Sequence, residues 1–153
     1  MPETSVFAKS WGELTTGELY SFLKLRTDVF FVEQKVDEEE LDKRDDEPTT
    51  IHYWVQDASG TAAYLRVLVD EHPQYLDAAN VIGRVVVRAD RRGTGLAKVL
   101  MARALEDLSG QAVMLHAQFY VASLYAKFGF EAFGDVYLEA GLEHLSMYRP
   151  ASA

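Results

Sequence analysis

Short apolar runs broken by glycine, proline and acidic turns change their period several times along this chain, so strands and helices alternate. Val6 to Trp11 reads as a short strand. Thr15 then caps a helix with Glu18 as its capping-box partner, and Leu19, Phe22, Leu23, Val29 and Phe30 form the apolar stripe. Arg26 falls inside that stripe, either as a stem whose head pairs with an acid or as a charge aimed into a cleft. Ile51 to Gln56 and Ala62 to Val69 are rich in aromatic and β-branched residues and flank Asp57-Ala-Ser-Gly60, a hairpin pattern.

Val81 to Val87 is a further strand, and the helix expected from Thr94 to about Leu108 buries Leu96, Leu100, Ala104 and Leu108, with Gly110 closing it. Ala112 to His116 reads as a buried strand, and a short helix from about Tyr120 to Phe128 stops at Gly129. Ala132 to Glu139 and Leu142 to Tyr148 pair across Ala140-Gly141. Such an order predicts a mixed α/β or α+β domain, and 153 residues suit one domain spanning 1–153.

Composition narrows the function. No apolar stretch approaches membrane-spanning length and the Met1-Pro-Glu-Thr-Ser start lacks a leader pattern, so a cytoplasmic protein with no membrane partner is expected. With no cysteine, thiolate chemistry is excluded, and the four dispersed histidines predict no metal site. A net charge of -9 disfavours nucleic acid. Charge is uneven, however: six bases accompany one acid from Arg84 to Arg103, whereas nine acids accompany three bases from Glu33 to Glu47. The basic stretch suits an anionic cofactor, and the acidic one is either a solvated loop or an attractor for a cationic substrate.

The basic stretch contains Arg92-Gly93-Thr94-Gly95-Leu96-Ala97 between a strand and a helix. Glycines at a helix start let backbone N–H groups converge on a phosphate. No Walker lysine follows, and the third glycine of a dinucleotide fingerprint is missing. Arg92, Gly95 and Ala97 instead match Gln/Arg-x-x-Gly-x-Gly/Ala, and Leu124-Tyr125-Ala-Lys127-Phe128-Gly129-Phe130 follows downstream. In this pair of motifs the chain resembles the GNAT N-acetyltransferase superfamily. Leu25-Arg26, Val29-Phe30, Glu33-Gln34, Gly83-Arg84-Val85, His116-Ala117-Gln118, Val136-Tyr137, Glu139, Gly141, His144 and Met147 extend the resemblance to its ElaA-like branch.

That resemblance implies a mostly antiparallel sheet with splayed fourth and fifth strands, flanked by helices, and acetyl-CoA (coenzyme A) in the gap. By position, the backbone of Val85, Val86 and Val87 meets the pantetheine arm or the oxyanion, and Arg92 through Ala97 hold the pyrophosphate, with a hydroxyl available from Thr94. Gln118 stands where the superfamily usually has Asn. Tyr125 matches the family's general acid. Glu33 and His144 are the leading bases, His116 a third, and Arg26, Glu33, His116 and His144 line the acceptor side. The expected activity is direct acetyl transfer to a primary amine of a small molecule or peptide, in a ternary complex. A non-catalytic acyl-CoA sensor and a transferase for another acyl group are the alternatives, and a homodimer is compatible with the final strand pair.

Overall fold

In a computed structural model, which describes residues 4–152, the Thr15 hydroxyl accepts the Glu18 amide at 3.1 Å while the Glu18 carboxylate accepts the Thr15 amide at 2.9 Å. This reciprocal cap starts α1 (Thr16–Arg26). Residues 1–3, part of the start read above as carrying no leader, and residue 153 lie outside the described residues. After Arg26 the chain widens into a π-type turn, Thr27–Glu33, in which the Gln34 amide donates five residues back to the Val29 carbonyl at 2.9 Å.

Seven strands follow the expected order: β1 (Phe7–Ser10), β2 (Ile51–Asp57), β3 (Gly60–Val69), β4 (Asn80–Val87), β5 (Val113–Gln118), β6 (Glu131–Glu139) and β7 (Leu142–Arg149). In space they run β1-β2-β3-β4-β5-β7-β6. All neighbours are antiparallel except β4 and β5.

Helices cover both faces, as a sheet with two apolar surfaces requires. On one face α2 (Leu96–Asp107) sets Leu96, Leu100, Met101 and Ala104 against Leu65, Ile82 and Leu115. On the other α1 sets Phe22 and Leu25 against Trp54, Tyr64 and Val86. Each such aliphatic or aromatic side chain contributes about 1.5–3 kcal/mol by leaving water.

Element ends depart from the sequence reading for local reasons. Gly95 adopts φ 84, which no helical residue shares, so α2 begins at Leu96 and not at Thr94. Its stripe closes with Met101 and Leu105, leaving Leu108 half-buried beyond the last turn. The helix expected from Tyr120 reduces to α3 (Ala122–Ala126) after a 3₁₀ turn at Phe119–Val121. No helix among the described residues is long and apolar enough to cross a membrane.

The splay between β4 and β5 has a visible cause. Tyr64 pairs with Val86 but Arg66 pairs with Gly83, so β4 carries one residue more than β3 in that interval. Arg84 occupies this bulge at φ 53, a left-handed conformation costly for a residue with a Cβ. Parallel pairing with β5 ends at Ile82 and Leu115, although β4 continues to Val87 and β5 to Gln118. The bulge bends β4 away, and a gap opens.

Candidate active site

A cavity of about 580 Å³ occupies that gap and reaches from Arg92 and Ala97, past Val85 and Val87, to Tyr125, His116 and His144. At its phosphate-loop end Gly93 and Gly95 have φ of +77° and +84°, and a Cβ built on either would meet no atom within 4 Å. The glycines are therefore required for backbone conformation, and the space before them is open to a ligand. The Thr94 hydroxyl donates to the Arg91 carbonyl. Donation from Thr94 to a ligand is thus corrected: its proton is committed within the turn.

The charge of the basic stretch is largely spent within the protein. Arg88 and Arg91 bind Asp57, Arg84 binds Glu40, and Arg103 binds Asp107. Arg92 donates to the two Glu33 carboxylate oxygens at 2.7 and 2.8 Å, with both side chains more than two-fifths exposed. A pair so accessible is weak and exchangeable.

Beyond the bulge the strand backbone presents its polar groups in a definite order. The Arg88 amide donates to the Ala62 carbonyl at 2.8 Å. Alternation then turns the Val86 amide toward Tyr64 of β3 and leaves Val85 and Val87 facing the gap. An oxyanion donor at Val86 is thereby corrected, since its amide is used within the sheet and its side chain is buried under α1. The Arg92 Nε–H donates to the Val87 carbonyl at 3.2 Å from the gap side.

Tyr125, on α3, is 5% exposed and lies edge-on to Phe130, with ring centroids 6.4 Å apart. No hydrogen bond holds its hydroxyl among the described residues, and burial pushes its pKa well above the usual phenol range. A protonated hydroxyl thus faces the cavity at any physiological pH.

Opposite it, β5, β6 and β7 bring polar side chains together that are distant in sequence. His116 Nδ1 lies 3.0 Å from both the Ser146 and the Tyr137 hydroxyls, and its Nε2 lies 3.0 Å from Gln74 Oε1. Although the His116 side chain is exposed, desolvation by the surrounding cavity wall lowers its pKa from the usual histidine value. His144 stacks on Tyr137 and donates from Nδ1 to the Leu142 carbonyl at 2.8 Å, while its Nε2 is 3.5 Å from Glu139. The Gln118 amide is paired with that of Gln34 across the cavity at 3.0 Å. Gln74, Tyr137 and Ser146 had no assigned role in the sequence reading; only the register of three strands and a loop reveals them.

Two expectations change. Arg26 does not reach the cavity: its fully buried guanidinium binds Asp45 at 2.7 Å and Glu40 at 2.6 Å. The acidic segment is a solvated loop only in part: Asp37, Glu38, Glu39 and Asp46 are exposed, whereas the other acids of residues 37–47 are bound to arginines. Glu40 binds Arg26 and Arg84, Asp42 binds Arg66, Asp45 binds Arg26 and Arg66, and Glu47 binds Arg44. Burial alone would raise the Asp42 carboxyl, but Arg66 holds it down at about 2. These acids clamp the segment over β3 and β4, beside the bulge.

Comparison with known proteins agrees with this geometry. The sequence profile of the acetyltransferase (GNAT) domain matches residues 23–149. Protein ElaA of Escherichia coli is 34% identical over 143 residues, covering 90% of each chain. The crystal structure of E. coli ElaA superposes with a TM-score of 0.85 at 30% identity, covering 96% of this chain and 99% of the other. An acyl-CoA N-acyltransferase from Pseudomonas aeruginosa does so with a TM-score of 0.85 at 38% identity and the same coverage. From the glycine turn, the splayed strands and these likenesses together, the chain belongs to the GNAT acetyltransferase family, in its ElaA-like branch, and is an acyltransferase that works from an acyl-CoA to an amine.

Proposed function

We propose that this enzyme transfers an acetyl group from acetyl-CoA directly to a primary amine of a small molecule or peptide. The cavity in the β4–β5 gap carries the reading, because Arg92 and Ala97, which bracket the glycine turn, line the same cavity as Tyr125 and His116. Amides of residues 93–97 hold the pyrophosphate, and the gap-facing groups of Val85 and Val87 pair with the pantetheine arm as a further strand would. The Val87 amide is the oxyanion donor, and Gln118 with Gln34 closes the side of the cleft.

The amine arrives protonated and must lose a proton before it attacks the thioester carbon. Glu33 is held as an anion below the usual carboxylate range by its hydrogen bonds to Arg92, which makes it a poor base while that pair lasts. Each ring nitrogen of His144 faces an oxygen acceptor. His116 is the base this geometry favours, being neutral, on the cavity wall, and surrounded by groups that can bond either protonation state. As the tetrahedral adduct collapses and the C–S bond breaks, Tyr125 gives its proton to the departing sulfur, while the adduct nitrogen sheds its surplus proton to solvent, which restores the phenol.

Incubation with isotope-labelled acetyl-CoA and a panel of amines, read by mass spectrometry, tests the activity. Acetyl transfer to an amine is expected. Cofactor binding without transfer to any acceptor would leave the sensor reading instead. For the base, His116→Ala is expected to lower kcat at pH 7 by about 100-fold. The KM for acetyl-CoA should be unchanged, and activity should partly return at high pH, where the amine deprotonates unaided. A variant as active as wild type at pH 7 would remove His116 from the mechanism.

A further inference from the structure

His116 has two nitrogens, and the order of hydrogen bonds around it decides which one is basic. Arg44 Nη1 donates to Asp70 Oδ1 at 2.7 Å, fixing a carboxylate that is only 10% exposed at the end of β3. Asp70 Oδ2 accepts from Gln74 Nε2 at 2.9 Å. A carboxylate flanked by arginine can only accept, so the Gln74 amide nitrogen must point toward Asp70 and its oxygen toward His116. That oxygen in turn accepts the His116 Nε2–H at 3.0 Å. Nδ1 is left with a lone pair, within 3.0 Å of two hydroxyls, Ser146 and Tyr137.

We propose that Gln74 is a positioning residue for amine deprotonation: it fixes the Nε2–H tautomer of His116 and thereby makes Nδ1 the atom that takes the proton. This rests on the reading of His116 as base. The step moves one proton from the ammonium nitrogen to Nδ1, giving a neutral amine and an imidazolium. Nδ1 has one lone pair, so one hydroxyl at a time, Ser146 or Tyr137, donates to it and yields when the ammonium delivers its proton; a hydroxyl oxygen then accepts from Nδ1–H, so both states are bonded. Solvent later removes the proton. The other titratable groups facing the ring are Glu139 from β6, which favours the charged form, His144 from β7, which opposes it, and Asp70, which favours it.

Gln74 lies exposed in the connection between β3 and β4, so its replacement leaves the core intact. Long-range ¹H–¹⁵N spectra of the imidazoles test the tautomer with no reaction needed. The wild type should show His116 protonated on Nε2, and Gln74→Leu a mixture. Protonation on Nδ1 in the wild type would overturn the proposal while leaving the transfer activity standing. Kinetically, Gln74→Leu should lower kcat by about tenfold at constant acetyl-CoA KM. Gln74→Glu places an anion on Nε2–H and should move the acid limb of kcat/KM upward by about one pH unit. An acid limb unmoved in Gln74→Glu, or an undiminished kcat in Gln74→Leu, would also sink it. Conversely, correct spectra with no acyl transfer from the wild type to any amine would count against the assigned reaction and not against the tautomer.

Discussion

Tyr125→Phe is expected to lower kcat by about 100-fold or more while coenzyme A affinity stays within about twofold. The substitution removes one oxygen and leaves the ring edge-on to Phe130, so packing of α3 is conserved. What disappears is a hydroxyl with no other partner among the described residues, facing the cavity beside the β4–β5 gap. Its raised pKa makes it a weaker acid than a free phenol, but burial acts on both partners. The same desolvation that disfavours a phenolate disfavours the departing thiolate, so burial does not by itself widen the acidity gap between donor and acceptor. Stopped assays with free coenzyme A titrated separately distinguish the two quantities. Unchanged kcat would show that solvent protonates the sulfur and that Tyr125 only packs.

Asp45→Ala is expected to destabilise the fold by about 3–5 kcal/mol, the usual cost of breaking a buried pair from one side. Asp45 is 7% exposed and receives Arg26 Nη1 at 2.7 Å and Arg66 Nη1 at 2.9 Å, while its carbonyl accepts His52 Nε2–H at 2.9 Å. Both arginines are at least 97% buried, so removing the carboxylate strands positive charge between α1 and β3. Thermal unfolding should shift down by roughly 10 °C for a chain of this length. A loss below about 1 kcal/mol would mean that Glu40 and Asp42 suffice without it.

The same network sets the acid limit of stability. Arg26 and Arg66 hold Asp45 below the usual range, and Arg66 holds Asp42 at about 2. A lowered folded-state pKa contributes stability that is complete above the unfolded value of about 3.9 and is lost as pH falls through the folded value. Unfolding free energy should therefore drop steeply between about pH 4 and 2.

Legibility in the sequence followed locality. The Thr15–Glu18 cap, the hairpins and the glycine turn depend on residues a few positions apart, and their order and type agree with the sequence reading. Tyr125 was visible because its motif is contiguous. The inward half of the acidic segment was not legible because Glu40, Asp42 and Asp45 answer to Arg26, Arg66 and Arg84, which come from three separate elements. Gln74 was invisible for the same reason: nothing near it in sequence marks it, and its partner His116 lies 42 positions away.

By itself the sequence determined the element order, the glycine turn and the family, because each rests on short-range backbone preference or contiguous side-chain chemistry. Tertiary structure alone decided where the sheet opens, which valine amides face the gap, which arginines are spent on acids, and which polar side chains gather around His116. Those outcomes depend on one bulge at Arg84 and on strand register, and both are settled by packing between segments far apart in the chain.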